Sequence, residues 1–217
     1  MKNPLSISTY CKVSDNQVTV NGNIVLQGQK KLLFPDFIRQ VYKMFDFSYA
    51  RFFKMDNLCK LGFAAAEIAL KETGILSRYK EDETAILIQN RSSSIDTDTD
   101  YQQTIQDRDN YFPSPALFVY TLPNILIGEI SIKNHLTGES ALFVAEKPDF
   151  PFLHTYSESL IHSGKAKACI IGWVDFDRHS EDNNDVHYEA FIYIVESKEN
   201  KLNFEHTKDN IITFYQS

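Results

Sequence analysis

Positive charge is scarce in this chain: 22 Lys and Arg stand against 29 Asp and Glu, for a formal net charge of −7. A nucleic-acid partner would favour a basic face, so that class is set aside. The same balance suits an acidic protein partner poorly unless a local basic patch exists. The run Lys54 to Lys60 and the segment His162 to Lys167 are the candidates for one. Long apolar runs are also missing. None approaches the roughly 20 residues of a membrane-spanning helix. The N-terminal MKNPLSISTYCKV has no apolar core of signal-peptide length. Only three cysteines occur, Cys11, Cys59 and Cys169, odd in number and widely spaced. They form no metal pattern, suit a reducing cytoplasm and read as small buried hydrophobes. No repeat, low-complexity linker or domain break is visible, so residues 1–217 read as one domain with no cofactor pattern.

Apolar residues make up 43% of the chain and charged residues 24%, the balance of a globular protein with a core. Ile7 to Val13 and Gln17 to Val20 alternate as half-buried strands do, and residues 21 to 34 read as turn and loop. Pro35-Asp36 opens a short predicted helix to about Phe45. The clearest helix is Asp56 to Thr73, with Asp56 as N-cap and Gly74 just past its end. Its apolar stripe is so wide that burial on most sides is expected. Thr84 to Ile88 reads as a strand buried on both faces. The polar NRSSSIDTDTD that follows reads as a loop, with a helix at Tyr101 to Arg108. A helix to about Lys133, a strand at Ser140 to Glu146 and a helix at Asp149 to His162 come next. Strands at Ala168 to Val174 and His187 to Glu196 flank an acidic loop, Asp175 to Asp185, and a last strand is predicted at Asn210 to Tyr215. The order points to α/β: a five-stranded, mainly parallel mixed sheet flanked by helices.

Two stretches carry more specific information, TLPNILIGEISIKNHLTGES at 121–140 and SLIHSGKAKACIIGWVD at 159–175. They contain Gly128, the turn Gly138-Glu139-Ser140, the strand from Ala141 to Glu146, then Ser163-Gly164 and another strand. In kind, order and spacing these features resemble the N-terminal half of the β-ketoacyl-acyl carrier protein synthases, the condensing enzymes of fatty-acid and polyketide synthesis. The resemblance runs over roughly residues 45 to 196 and is closest to short ketosynthase-like proteins containing only that half. It implies a thiolase-like half-fold. In the family a nucleophilic cysteine follows the strand. Counted forward from Gly128 and back from Gly164, both registers meet without gaps on Lys147.

The family cysteine sits at a helix N-terminus, where the helix dipole and neighbouring histidines stabilise a thiolate that carries the acyl group. Lysine cannot hold a thioester. The turn Glu146-Lys147-Pro148 also puts a proline at the helix start, and the chain ends before the family's second-half histidines and lysine. The resemblance therefore implies a non-catalytic subunit acting with an active condensing enzyme in fatty-acid or polyketide (polyene-type) synthesis, as polyketide chain-length factors do. Two other readings stand beside it. One is a β-ketoacyl-synthase-type acyltransferase using borrowed or unfamiliar residues, with His135 and His154 as neighbours of Lys147. The other is a module that binds an acyl chain or an acyl carrier protein. The resemblance also implies pairing through the strand before Lys147, with Leu142 and Val144 on one face and Ala141, Phe143 and Ala145 on the other. The partner would be a second copy or a full-length ketosynthase, with acyl carrier protein as a further partner.

The remaining constellations each have a plainer reading. Asp96, Asp98 and Asp100 have calcium-loop spacing with Asp107 at the twelfth position, but Tyr101 stands where that loop needs glycine. A solvated loop is expected there. His179 and His187 flank the acidic run Glu181 to Asp185, again read as surface. Ser92, Ser93 and Ser94 sit at a strand end, without an identifiable base. Tyr111-Phe112 is an exposed-looking pair suited to an interface.

Overall fold

In a computed structural model, residues 4–178, 186–197 and 204–217 are described. Strands β1 (Ser6–Ser14), β2 (Gln17–Val20) and β3 (Asn23–Gln27) form a meander, followed by helices α1 (Phe34–Met44) and α2 (Asn57–Thr73). Strand β4 (Thr84–Asn90) leads to α3 (Ile95–Gln103), α4 (Pro115–Val119) and α5 (Ile125–Asn134). Then come β5 (Ser140–Val144), α6 (Phe150–His162), β6 (Ala168–Arg178), β7 (Val186–Glu196), β8 (Phe204–Glu205) and α7 (Lys208–Gln216). All eight strands join one mixed sheet in the order β3-β2-β1-β7-β6-β4-β5, with β8 on β1.

The five-stranded, mainly parallel expectation is therefore corrected. Parallel pairing is confined to β4 with β5 and β4 with β6, and the other pairings are antiparallel. The hairpin β1–β2 and the β6–β7 pair need no crossover, so antiparallel order follows from short connections. Strand β3 was missed because it is largely exposed and short. The last segment is a helix, not a strand. Thr207 caps it by accepting from the Asn210 amide, and Ile211 is its buried residue.

Period-two alternation divides the sheet's side chains between two layers. Along β7, Ala190, Ile192 and Ile194 join the core under α1, α2 and α5, whereas Phe191, Tyr193 and Val195 join the core under α6 and α7. Helix α2 is buried along most of its circumference, as its wide stripe implies. Its first turn is capped by Asp56, which accepts from the Cys59 amide at 2.8 Å, and Gly74 ends it in the left-handed conformation. β4 is buried at every position from Thr84 to Asn90, as expected for a strand covered on both faces.

Two glycines of the motif region are under opposite constraints. A Cβ at Gly138 would lie 2.3 Å from the Thr84 carbonyl oxygen, where the chain turns toward β5 beside β4. At Gly128, within α5, a Cβ would meet nothing within 4 Å. Gly138→Ala is expected to cost about 1–3 kcal/mol by forcing backbone apart. Gly128→Ala is expected to add about 0.5–1 kcal/mol through helix propensity. Denaturant unfolding of both variants checks this pair, and a Gly138→Ala protein as stable as the parent would refute the close approach.

Candidate functional site

Among the described residues strand β5 is an edge strand, paired on one side only, to β4. Its side chains split as expected. Leu142 packs on the α2 core, and Ala141 on the α6 core. Phe143 lies edge-to-face with Phe152 at 4.9 Å and Tyr156 at 5.9 Å, both from α6. Val144 is 61% exposed. Ala145 extends the ladder by one bond, its amide donating to the Asn90 carbonyl at 2.8 Å.

The connector to α6 is held from beneath by β4. The buried Gln89 side-chain oxygen accepts from the Asp149 amide at 2.8 Å. Asp149 is the N-cap of α6, its carboxylate accepting from the Phe152 amide at 2.9 Å. The proline in the first helical turn is Pro151; Pro148 lies before the cap. A helix N-terminus favours an anion. Here Asp149 supplies it from within the chain. Lys147 is exposed and makes no hydrogen bond or ion pair among the described residues.

The histidines suggested as neighbours are not gathered there. His135 ends α5 in a left-handed conformation, at the opposite end of β5 from Lys147. The His154 ring turns to the C-terminal segment: it stacks on His206 with centroids 4.4 Å apart, and its Nε2 lies 3.0 Å from the His206 carbonyl oxygen. The three cysteines are buried and free. Burial pushes each thiol pKa up. For Cys59 the Asp56 carboxylate adds to the rise, and for Cys169, raised to about 12, Glu139 does. None is a thiolate at neutral pH.

The acidic spacing at 96–100 lies on helix α3, not in a loop. Arg178 occupies two of its three carboxylates, with Nε 2.8 Å from Asp96 and Nη2 2.6 Å from Asp100. Asn57 also donates to Asp96 at 3.0 Å. A guanidinium therefore stands where the calcium-loop spacing would put a cation. Asp107 bonds the Asp109 amide in a separate turn. The sequence pattern places Asp175 at the start of a solvated loop, yet it is buried in β6, accepting from the Arg91 and Ser92 amides and from the Ser92 hydroxyl. Ser92 is thus engaged with a carboxylate. Ser94 donates to Asp98 and to the Thr121 carbonyl. His187 lies in β7 opposite Asp177, while His179 and residues 181–185 lie outside the described residues. In the basic segments, Lys167 pairs with Glu83 at 2.7 Å and Lys165 approaches Glu139 at 3.8 Å, which offsets that patch.

One feature only partly anticipated is an apolar rim. Tyr111 and Phe112 are 61% and 80% exposed, and Ile95, Phe118, Val119 and Leu122 are exposed with them. These residues follow β4 in the chain, and Val144 ends β5. Because β4 and β5 run parallel, both groups leave the sheet at the same end. Beyond Tyr111-Phe112, the sequence signal was weak, since short apolar helices usually turn inward.

The layers, the parallel β4–β5–α6 unit and the capped helix after an edge strand define a class of architecture rather than a chemistry. No family model and no curated protein matches the chain. Solved structures do. The ishigamide ketosynthase/chain length factor aligns with TM-score 0.61 and 14% identity, over 93% of this chain and 64% of that one. A chain from the complex of the ketosynthase ApeO with its chain length factor ApeC, from Xenorhabdus doucetiae, aligns with TM-score 0.55 and 15% identity, over 92% and 81%. A β-ketoacyl synthase from Burkholderia phymatum aligns with TM-score 0.54 and 13% identity, over 97% and 61%. The fold is therefore that of the ketosynthases and chain length factors, and this chain spans less than two thirds of the first and third of these structures.

Proposed function

We propose that this chain is a non-catalytic, ketosynthase-like subunit that pairs with an active condensing enzyme in fatty-acid or polyketide synthesis. The observation that carries the reading is the β5–α6 connector. The fold's neighbours are ketosynthases and chain length factors, and at this connector the chain offers an exposed lysine, an aspartate cap and no thiol. The buried, protonated cysteines elsewhere give no substitute nucleophile. The open edge of β5 and the apolar rim at the same end support an association surface, and an apolar edge left uncovered is a liability. Such a subunit would work in the cytoplasm, in keeping with its free cysteines. No helix of the described residues is long and apolar enough to cross a membrane.

The test is reconstitution with a full-length ketosynthase, an acyl carrier protein and acyl and malonyl donors. Alone, the chain is expected to form no thioester by mass spectrometry and no condensation product. Lys147→Ala should leave partner-dependent turnover within about twofold, as for a surface substitution away from packed features. Lys147→Cys should create no synthase, because a thiol without a base lacks the activated nucleophile. Acylation at Cys11, Cys59 or Cys169 coupled to turnover would sink the reading. So would condensation by the Lys147→Cys protein alone.

A further inference from the structure

Away from the β5 connector, His154 and Glu158 on α6 meet His206 from the segment just before α7. One ligand atom from each lies within 4.8 Å of the others. Glu158 stands one turn after His154, and its Oε2 is 3.8 Å from His154 Nδ1. His206 is only 4% exposed, and neither of its ring nitrogens has a hydrogen-bond partner among the described residues. His154 Nδ1 is likewise buried and lacks a hydrogen-bond partner, although Glu158 is near. Buried polar atoms are nearly always satisfied, and leaving one unpaired costs about 1–3 kcal/mol. Two imidazoles with unpartnered ring nitrogens beside a carboxylate call for a ligand that accepts lone pairs.

We propose that His154, Glu158 and His206 form a zinc-class divalent metal site that clamps the C-terminal helix α7 onto α6. Two imidazoles and a carboxylate match the donor set of borderline metal ions. Hard cations such as calcium and magnesium take oxygen ligands instead. Tetrahedral zinc holds nitrogen and oxygen ligands at about 2.0–2.2 Å, hence roughly 3.3 Å from one another. Side-chain rotation of about an ångström closes the present arrangement to that distance, with a water as fourth ligand. The backbone already brings the segment into place. The His206 amide donates to the Leu5 carbonyl at 3.0 Å, and Thr207 caps α7. The pattern is invisible in sequence because His206 comes from a different element, far along the chain from the His154–Glu158 pair.

The experiment uses the full chain without a histidine tag, stripped with a chelator and titrated with zinc sulfate alone. One equivalent is expected to bind by calorimetry, with a rise in Tm on saturation. Cobalt(II) in its place should give the visible absorption of a four-coordinate ion. His206→Gln and Glu158→Gln should each weaken binding by at least about tenfold. If His206→Gln fails to fold by circular dichroism, Glu158→Gln, at a side chain 38% exposed, decides the question. No saturable binding at one equivalent, or binding unchanged in Glu158→Gln and in a folded His206→Gln, would overturn the proposal. The second result would place the ion on other histidines.

Discussion

Phe143→Lys combined with Val144→Glu should abolish association of this chain with a second copy or with a full-length ketosynthase. The expected loss is at least about a hundredfold in affinity, or about 2.7 kcal/mol. The argument starts from the sheet. Among the described residues β5 pairs only with β4, so one side of its backbone is open there, and Val144 projects into solvent with 61% of its surface exposed. A charge there meets no buried group in the isolated chain, but would lie in the centre of a paired edge. Phe143 contacts Phe152 and Tyr156, so the double variant carries some folding cost. Val144→Glu alone serves as the variant without that cost. Light scattering and co-purification read the outcome. A parent chain that stays a 25.0 kDa monomer at high concentration and ignores the synthase would remove the subunit proposal.

The largest stability effect is expected from Arg78→Ala. Glu196 at the end of β7 is fully buried, and Arg78 donates to both its oxygens, at 2.7 and 2.8 Å. Tyr79 donates at 2.8 Å and Ser8 at 2.5 Å. Arg78 also donates to the Thr73 carbonyl at the end of α2, so one guanidinium ties that helix to the sheet. Burial pushes the Glu196 pKa up. The hydrogen bonds from Ser8, Arg78 and Tyr79 outweigh it and hold the pKa below its ordinary value of 4.5. A carboxylate depressed in the folded state contributes stability that is complete above that ordinary value and is lost as pH falls below it. Removing the guanidinium from a buried carboxylate should cost about 3 kcal/mol at neutral pH, roughly 6–12 °C in Tm. The pH dependence then inverts. With its main cationic support gone, the Glu196 pKa rises, the folded state takes up a proton first, and the variant gains on the parent as pH drops toward 4.5. Thermal unfolding across pH 4 to 8 checks both the size and the sign. A deficit that is constant with pH would mean the Arg78 contribution is packing rather than charge.

Short-range pattern was sufficient for much of this molecule. The wide stripe and caps of α2, the uninterrupted apolar run of β4 and the alternation in β1 and β2 are local consequences of side-chain periodicity, and each formed where the residues placed it. The spacing from Gly128 to Gly164 led to the ketosynthase class of fold through a strand–turn–helix unit that is itself contiguous in the chain. Where the chain departed from expectation, the deciding partner was distant. The DTDTD segment is a helix whose Asp96 and Asp100 carboxylates are engaged by Arg178, which stands well beyond them in the sequence. The last segment is helical because Thr207 caps it and the α6 face of the sheet has a place for Ile211. The antiparallel majority of the sheet came from which strands lie side by side, and no single strand's alternation encodes that. His154, Glu158 and His206 became a cluster only when α7 folded back over α6. Periodicity reports which face of an element is buried, because it depends on neighbours a few residues away. What that face is buried against, and which polar groups meet across the gap, depends on chain closure over long distances, and only the tertiary structure decides it.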